Sequence, residues 1–168
     1  MSRVHLLSQD TQDFVAQATR ELRQHPDADQ GVRDLLARVN ERLGTQATSV
    51  FMLSEQGDEL VVRYAATPES QAIVGLRMPF GQGVVGWVVK YSEDLIVPAT
   101  ARDPRFFSGV DERTGFVTHS ILCVPIILEG KTLGAIEALN KTSGNFDNDD
   151  VLFLQAIAEA IAVTVDNR

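Results

Sequence analysis

The glycine-spaced stretch of this 168-residue chain is the first candidate for chemistry. Gly81, Gly83 and Gly86 spell GxGxxG (GQGVVG), a spacing that cradles a dinucleotide pyrophosphate when it joins a strand to a helix inside a βαβ unit. Here Pro79 interrupts the approach, and the short apolar run at 95–97 that would have to be the second strand stops at Pro98. The dinucleotide reading fails on that context. The local physics remains, because glycines opening a helix present backbone N–H groups that suit a phosphate or a carboxylate.

Glu137 is the second candidate. Strand alternation over 133–139 places it on one face with Leu133, Ala135 and Leu139. An ionised carboxylate on an apolar face is costly unless something bonds to it. Either a structural partner such as an arginine or a donor from a ligand meets that requirement. Cys123 lies in a very apolar strand with no flanking Lys, Arg or acid, so nothing there activates it as a nucleophile. His5, His25 and His119 fall in different elements without metal-ligand spacing. The acid pairs Asp111-Glu112 and Asp149-Asp150 form no acid–base constellation, and the second sits where a helix starts. The chain therefore reads as non-catalytic, with no metal site.

The elements that must hold these residues follow from periodicity. Segment 6–24 carries a loose helical stripe (Leu7, Phe14, Val15, Ala18, Leu22) and breaks at His25-Pro26. Asp27 and Gln30 resemble a capping box for a helix over 27–43, which Gly44 ends. Residues 47–54 and 59–66 read as a hairpin turning at Gln56-Gly57-Asp58, with a third extended piece over 73–79. A long irregular connection runs from 98 to 117. Strands over 119–128 and 132–139 follow, joined at Glu129-Gly130-Lys131. The first is apolar on both faces, with Leu122, Val124 and Ile126 on one and Ile121, Cys123 and Ile127 on the other, and is expected to be central. A last helix over 148–166 carries two apolar stripes, one of them Phe153, Ala156, Ala160 and Val163. It should be covered on two sides, by the sheet and by a second subunit.

Length and composition set outer bounds. The chain is of single-domain size, 1–168, with 1–26 as an N-terminal helix available for dimerisation and 27–168 as the core. A net charge of −8 with scattered Lys and Arg argues against nucleic acid. The absence of a long apolar run and of a secretory start, together with a single cysteine, gives an expectation of a cytoplasmic protein with no membrane partner.

In order along the chain, GQGVVGWV at 81–88, Asp103-Pro104-Arg105-Phe106, VDERTGFVT at 110–118, SILCVPI at 120–126, Gly134-Ala135-Ile136-Glu137, Asn140-Lys141, Phe146 and Asp150 resemble the GAF family. The resemblance implies an α+β fold: a central six-stranded antiparallel sheet, N- and C-terminal helices on one face and a ligand pocket on the other. The pocket would be roofed by the helix opening at Gly83 and by the connection 98–117. Within the family the chain looks closest to the domains that bind cyclic nucleotides in phosphodiesterases and bacterial adenylyl cyclases. That likeness implies ligand-binding roles for Ser49, Val84, Val85, Phe107, Asp111, Thr114, Thr118 and Glu137. It implies a structural motif of Asn140, Lys141, Phe146 and Asp150, with Lys141 and Asp150 as an ion pair. No cofactor is required, and a cyclic nucleotide is the implied ligand. Ala65 and Ala66 stand where some relatives place an aromatic and an Asp to read the purine, which favours cAMP over cGMP. One cysteine is too few for the methionine sulfoxide reductases of this fold. The alternative is a ligand-free module of a bacterial sensor that forms a homodimer through its terminal helices and relays a signal to an output domain.

Overall fold

The computed structural model describes residues 3–66, 73–106 and 116–166. After a 3-10 turn at Val4–Leu6, helix α1 (Gln9–Gln24) starts at Ser8, whose hydroxyl accepts from Thr11 N. It stops before Pro26, as the steric demand of proline on the residue before it requires. Helix α2 (Ala28–Leu43) starts at Asp27, whose carboxylate accepts from Gln30 N at 3.1 Å. Only half of the expected capping box forms. The Gln30 amide turns outward to Asp34, and the Asp27 N–H donates to His25 Nδ1 instead. Gly44 ends α2 in the left-handed conformation, φ +71°, where a side chain would be strained.

The chain then becomes extended: β1 (Thr45–Leu53), β2 (Glu59–Ala66) and β3 (Arg77–Pro79). Helix α3 (Gly83–Tyr91) and the short β4 (Leu95–Val97) follow, then a 3-10 turn at Thr100–Arg102. Strands β5 (Ile121–Leu128) and β6 (Lys131–Lys141) form the second long hairpin, and α4 (Asn148–Asp166) closes the described chain. The third extended piece is shorter than 73–79 suggests. Only Arg77–Pro79 pairs with β2, and Gly75, at φ +94°, belongs to a turn.

Six strands make one antiparallel sheet in the order β3-β2-β1-β6-β5-β4. Strands β1 and β6 are its middle, so β5 lies one place in from the edge and not at the centre. It is nonetheless covered on both faces. Leu122, Val124 and Ile126 join the core beneath α1, α2 and α4, while Ile121 and Cys123 join the core beneath α3. Ile127, close to the hairpin turn, is exposed, and the β5–β6 register shifts between Ile126 and Ile127, which leaves Leu133 as the extra residue on β6. The same bulge turns Leu133 toward the helix-side core, away from the face it was expected to share with Glu137.

Most of both stripes of α4 is covered from within one chain, with Val163 and Val165 near its end half-buried. Leu154, Ile157 and Ile161 are fully buried, and Phe153, Ala156 and Ala160 are buried too. The Phe14 ring of α1 packs on Phe153 with centroids 5.7 Å apart, so α1 covers that residue from within the chain. Among the described residues no helix is long and apolar enough to cross a membrane.

Candidate functional site

The floor of the site is a row of residues running across the sheet. Ala65 on β2 stands opposite Ser49 on β1, Ser49 opposite Glu137 on β6, Glu137 opposite Cys123 on β5, and Cys123 opposite Leu95 on β4. Alternation turns this row, with Phe51, Ala135 and Ile121, away from the terminal helices. Close packing of β1 and β6 here depends on Gly134, since a Cβ at that position would sit 2.0 Å from the Phe51 carbonyl oxygen.

The roof is α3, and the GxGxxG spacing explains its position. Gly81 and Gly83 adopt φ +88° and +77°, which turns the chain sharply into the helix. Gly86 lies one turn inside, where a Cβ would meet the Gly81 carbonyl carbon at 2.6 Å. The third glycine is thus a steric requirement of the turn folding back on its own helix. Gln82 caps the helix without a side-chain hydrogen bond, so the first N–H groups of α3 are not satisfied by its cap residue.

Between floor and roof lies a pocket lined by Phe51, Met78, Gly83, Val84, Val85, Phe106, Thr118, Ile121, Glu137 and Leu139. Its interior is about 50 Å³, room for a few waters. Pockets that enclose a drug-sized ligand measure about 300–1,000 Å³, so a larger occupant requires the walls to part.

Four of the eight residues implied as ligand-binding meet in this pocket: Val84, Val85, Thr118 and Glu137. Ser49 is buried in the floor row beside Glu137 but does not line the pocket itself. Phe107, Asp111 and Thr114 lie outside the described residues. Leu139 lines the pocket on the face that alternation gives it with Glu137, though no ligand role is read for it, and Phe51, two residues from Ser49 on the same strand face, is not named from the sequence. Period-two alternation was the signal that could have found Phe51 too.

Phe106 reaches the pocket through a small electrostatic clamp. The Arg105 guanidinium donates to both oxygens of Asp103, at 2.9 and 2.7 Å, and lies 5.0 Å from the centre of the Trp87 ring on α3. The Arg105 hydrogen bond holds the Asp103 carboxyl below the usual carboxylate range. Cys123 is fully buried, and burial first, then the Glu137 and Asp94 carboxylates, push its thiol well above the ordinary range. Such a thiol is inert as a nucleophile.

Asn140, Lys141, Phe146 and Asp150 lie at the end of β6 and beyond it. Lys141 Nζ donates to Asp150 Oδ2 at 2.7 Å and to the Leu43 carbonyl at 3.1 Å, so it ties the end of α2 to the start of α4. The Phe146 ring packs 5.7 Å from the same ammonium. None of the four lines the pocket.

The GAF domain family model matches residues 10–165 of the chain. The chain belongs to the GAF domain family. Its fold is also that of the GAF domain from a phosphoenolpyruvate-protein phosphotransferase of Coxiella burnetii, with TM-score 0.84 and 23% identity over 99% of this chain and 96% of that one. The free methionine-R-sulfoxide reductase of Neisseria meningitidis shares the fold at TM-score 0.77 and 20% identity, over 93% of this chain and 88% of that one. Among curated proteins, a dual 3',5'-cyclic-AMP and -GMP phosphodiesterase 11A of Takifugu rubripes is 33% identical over 55% of this chain and 10% of its own length. A cGMP-specific 3',5'-cyclic phosphodiesterase of Drosophila mojavensis is 25% identical over 99% of this chain and 16% of its own length. This GAF domain therefore spans between a tenth and a sixth of those relatives. GAF domains form a regulatory and sensory family.

Proposed function

We propose that this GAF domain is a non-catalytic sensor that binds a small anionic ligand between α3 and the floor row, and that the ligand is a cyclic nucleotide. One observation carries the reading: a single apolar pocket holds the N-terminal residues of α3 at one wall and the Glu137 carboxylate at another. Helix N-termini favour phosphate, and a carboxylate accepts from an amine or hydroxyl. A cyclic nucleotide offers both partners, a phosphodiester and hydrogen-bond donors on base and sugar. Thr118 supplies a further polar wall.

Ala65 favours adenine over guanine. It stands in the floor row and gives no side-chain acceptor for the extra donors of guanine. The buried free thiol of Cys123 suits a reducing compartment such as the cytoplasm. The deciding measurement is thermal unfolding with cAMP and with cGMP. A ligand at about 100 times its Kd adds about 2.7 kcal/mol of stability, and Glu137→Ala should abolish most of the shift. No shift with either nucleotide at millimolar concentration defeats the cyclic-nucleotide reading. Light scattering then separates it from ligand-free relay by a homodimer through α1 and α4, for which a monomer is the disqualifying result.

A further inference from the structure

Asn140 is buried at the end of β6 and adopts φ +60°, a left-handed conformation uncommon outside glycine. That backbone swings its carboxamide under the segment 117–120, where all of its hydrogen-bonding capacity is engaged. Oδ1 accepts from His119 N at 2.6 Å and from Ser120 N at 3.2 Å. Nδ2 donates to the Val117 carbonyl at 2.8 Å and to Gln46 Oε1 on β1 at 3.0 Å. Thr118 is thereby bracketed, with the residue before it and the residue after it both bonded to one side chain. Its own carbonyl accepts from Thr100 Oγ1 at 2.6 Å.

The geometry points to Asn140 as a positioning residue for the pocket, acting through the backbone on both sides of Thr118 to hold that pocket wall in place. The inference rests on the pocket being the ligand site only where it concerns affinity; the positioning itself can be read without ligand. Val117 is exposed, so the segment has no apolar anchor of its own at that residue; the Asn140 side chain holds it together with the backbone bonds from Thr100 N to the His119 carbonyl and from Asn140 N to the Ser120 carbonyl. A left-handed residue is also what this position needs. Glycine would keep the backbone and remove the clamp, whereas aspartate would keep the acceptor and reverse the donor.

The experiment is residue-resolved amide exchange by NMR on the whole chain, comparing wild type, Asn140→Gly and Asn140→Asp. In Asn140→Gly the His119 and Ser120 amides should exchange at least about tenfold faster, the equivalent of one lost hydrogen bond, while Val124 and Ile136 amides keep their protection. Asn140→Asp should protect His119 and Ser120 better than Asn140→Gly does, because a carboxylate oxygen accepts there, but less than wild type, because its second oxygen faces the Val117 carbonyl. Unchanged exchange at these two amides in Asn140→Gly overturns the inference, as does uniform acceleration across β5 and β6 in both variants. With cAMP as probe, Asn140→Gly and Thr118→Val should weaken binding non-additively, and additive losses count against action through Thr118. If wild type takes up no cAMP, the ligand reading fails and the exchange result alone decides the role of Asn140.

Discussion

Cys123 stands directly opposite Glu137 on the β5–β6 ladder, so the one thiol of the chain and the one carboxylate that lines the pocket among the described residues share the same row of the sheet. The thiol is fully buried, and its acidity is suppressed by that burial and then by the two carboxylates near it. Because the folded thiol titrates above the unfolded one, its contribution to stability is intact below the ordinary thiol range, about 8.5, and is lost as pH rises beyond it. An aromatic disulfide reagent at pH 7 should label native protein at least about a hundredfold more slowly than unfolded protein, since a core position must open before it reacts. Comparable labelling rates would show that the floor of the pocket is accessible.

The Asp103–Arg105 clamp has an optical reporter, because Trp87 is the sole tryptophan. The folded Asp103 carboxyl is held low by Arg105, so the clamp is complete above the ordinary carboxyl range of about 3.9 and is lost as pH falls through the lowered value. Tryptophan emission should therefore show an acid step below the usual range of an aspartate. Arg105→Met should change the emission at neutral pH and remove the step. A step unaltered in Arg105→Met would assign it to another carboxylate.

Asp94 has the opposite sign. Burial raises its carboxyl, against the opposing effects of the Gln155 hydrogen bond and of Arg3, with Glu93 adding to the rise. Its favourable contribution is present below the ordinary carboxyl range and is lost as pH rises through the raised value. Asp94→Asn keeps an oxygen to accept from Gln155 Nε2 and removes the buried charge. The variant should be more stable than wild type at pH 7 by up to about 1 kcal/mol, a half-exposed group being well screened. That advantage should vanish near pH 3, and urea unfolding at the two pH values measures it.

Much of the fold is legible in the residues themselves. Leu35, Leu36 and Val39 at helical spacing, and Val124 and Ile126 at strand spacing, sort onto the helix-side core as their periods require. The departures have particular causes. At the register shift between Ile126 and Ile127, Leu133 is the extra residue on β6 and packs on the helix-side core, and only the isolated strand glycine beside it, Gly134, hints at the irregularity. Phe153 on α4 is covered by Phe14 of α1, a pairing distant in sequence that periodicity cannot assign. In the site, Glu137 stands out because a charge on an apolar face is anomalous. The role of Asn140 does not, because it depends on a positive φ and on partners 20 and more residues away.

Gly134 sets a steric test of the floor. Its missing Cβ makes room for the Phe51 carbonyl, and any side chain there must push β1 and β6 apart. Gly134→Ala should destabilise the domain by about 3 kcal/mol or more, at the upper end of overpacking costs. Gly130→Ala in the hairpin turn meets no neighbour and pays only for its φ of +78°, so it should cost less. Chemical denaturation of the two variants ranks them, and the reverse order would contradict the register of β1 on β6.

Lys141 joins three elements at one nitrogen, as it bonds Asp150 at the start of α4 and the Leu43 carbonyl at the end of α2 from its place on β6. Both side chains of the ion pair are largely buried, 17% and 13% exposed. Removing one member of a fully buried pair costs about 3–5 kcal/mol. Lys141→Met should fall below that range, because Asp150 also accepts from Asp147 N at 3.1 Å and sits in the first turn of α4, where the helix dipole favours an acid. A loss of about 2 kcal/mol corresponds to a Tm lower by about 4–8 °C for a domain of this size. Asp150→Asn leaves the ammonium with the Leu43 carbonyl, and the double variant should lose less than the sum of the two. Additive losses in calorimetry would mean that the two residues stabilise the helices independently and that the pair is incidental.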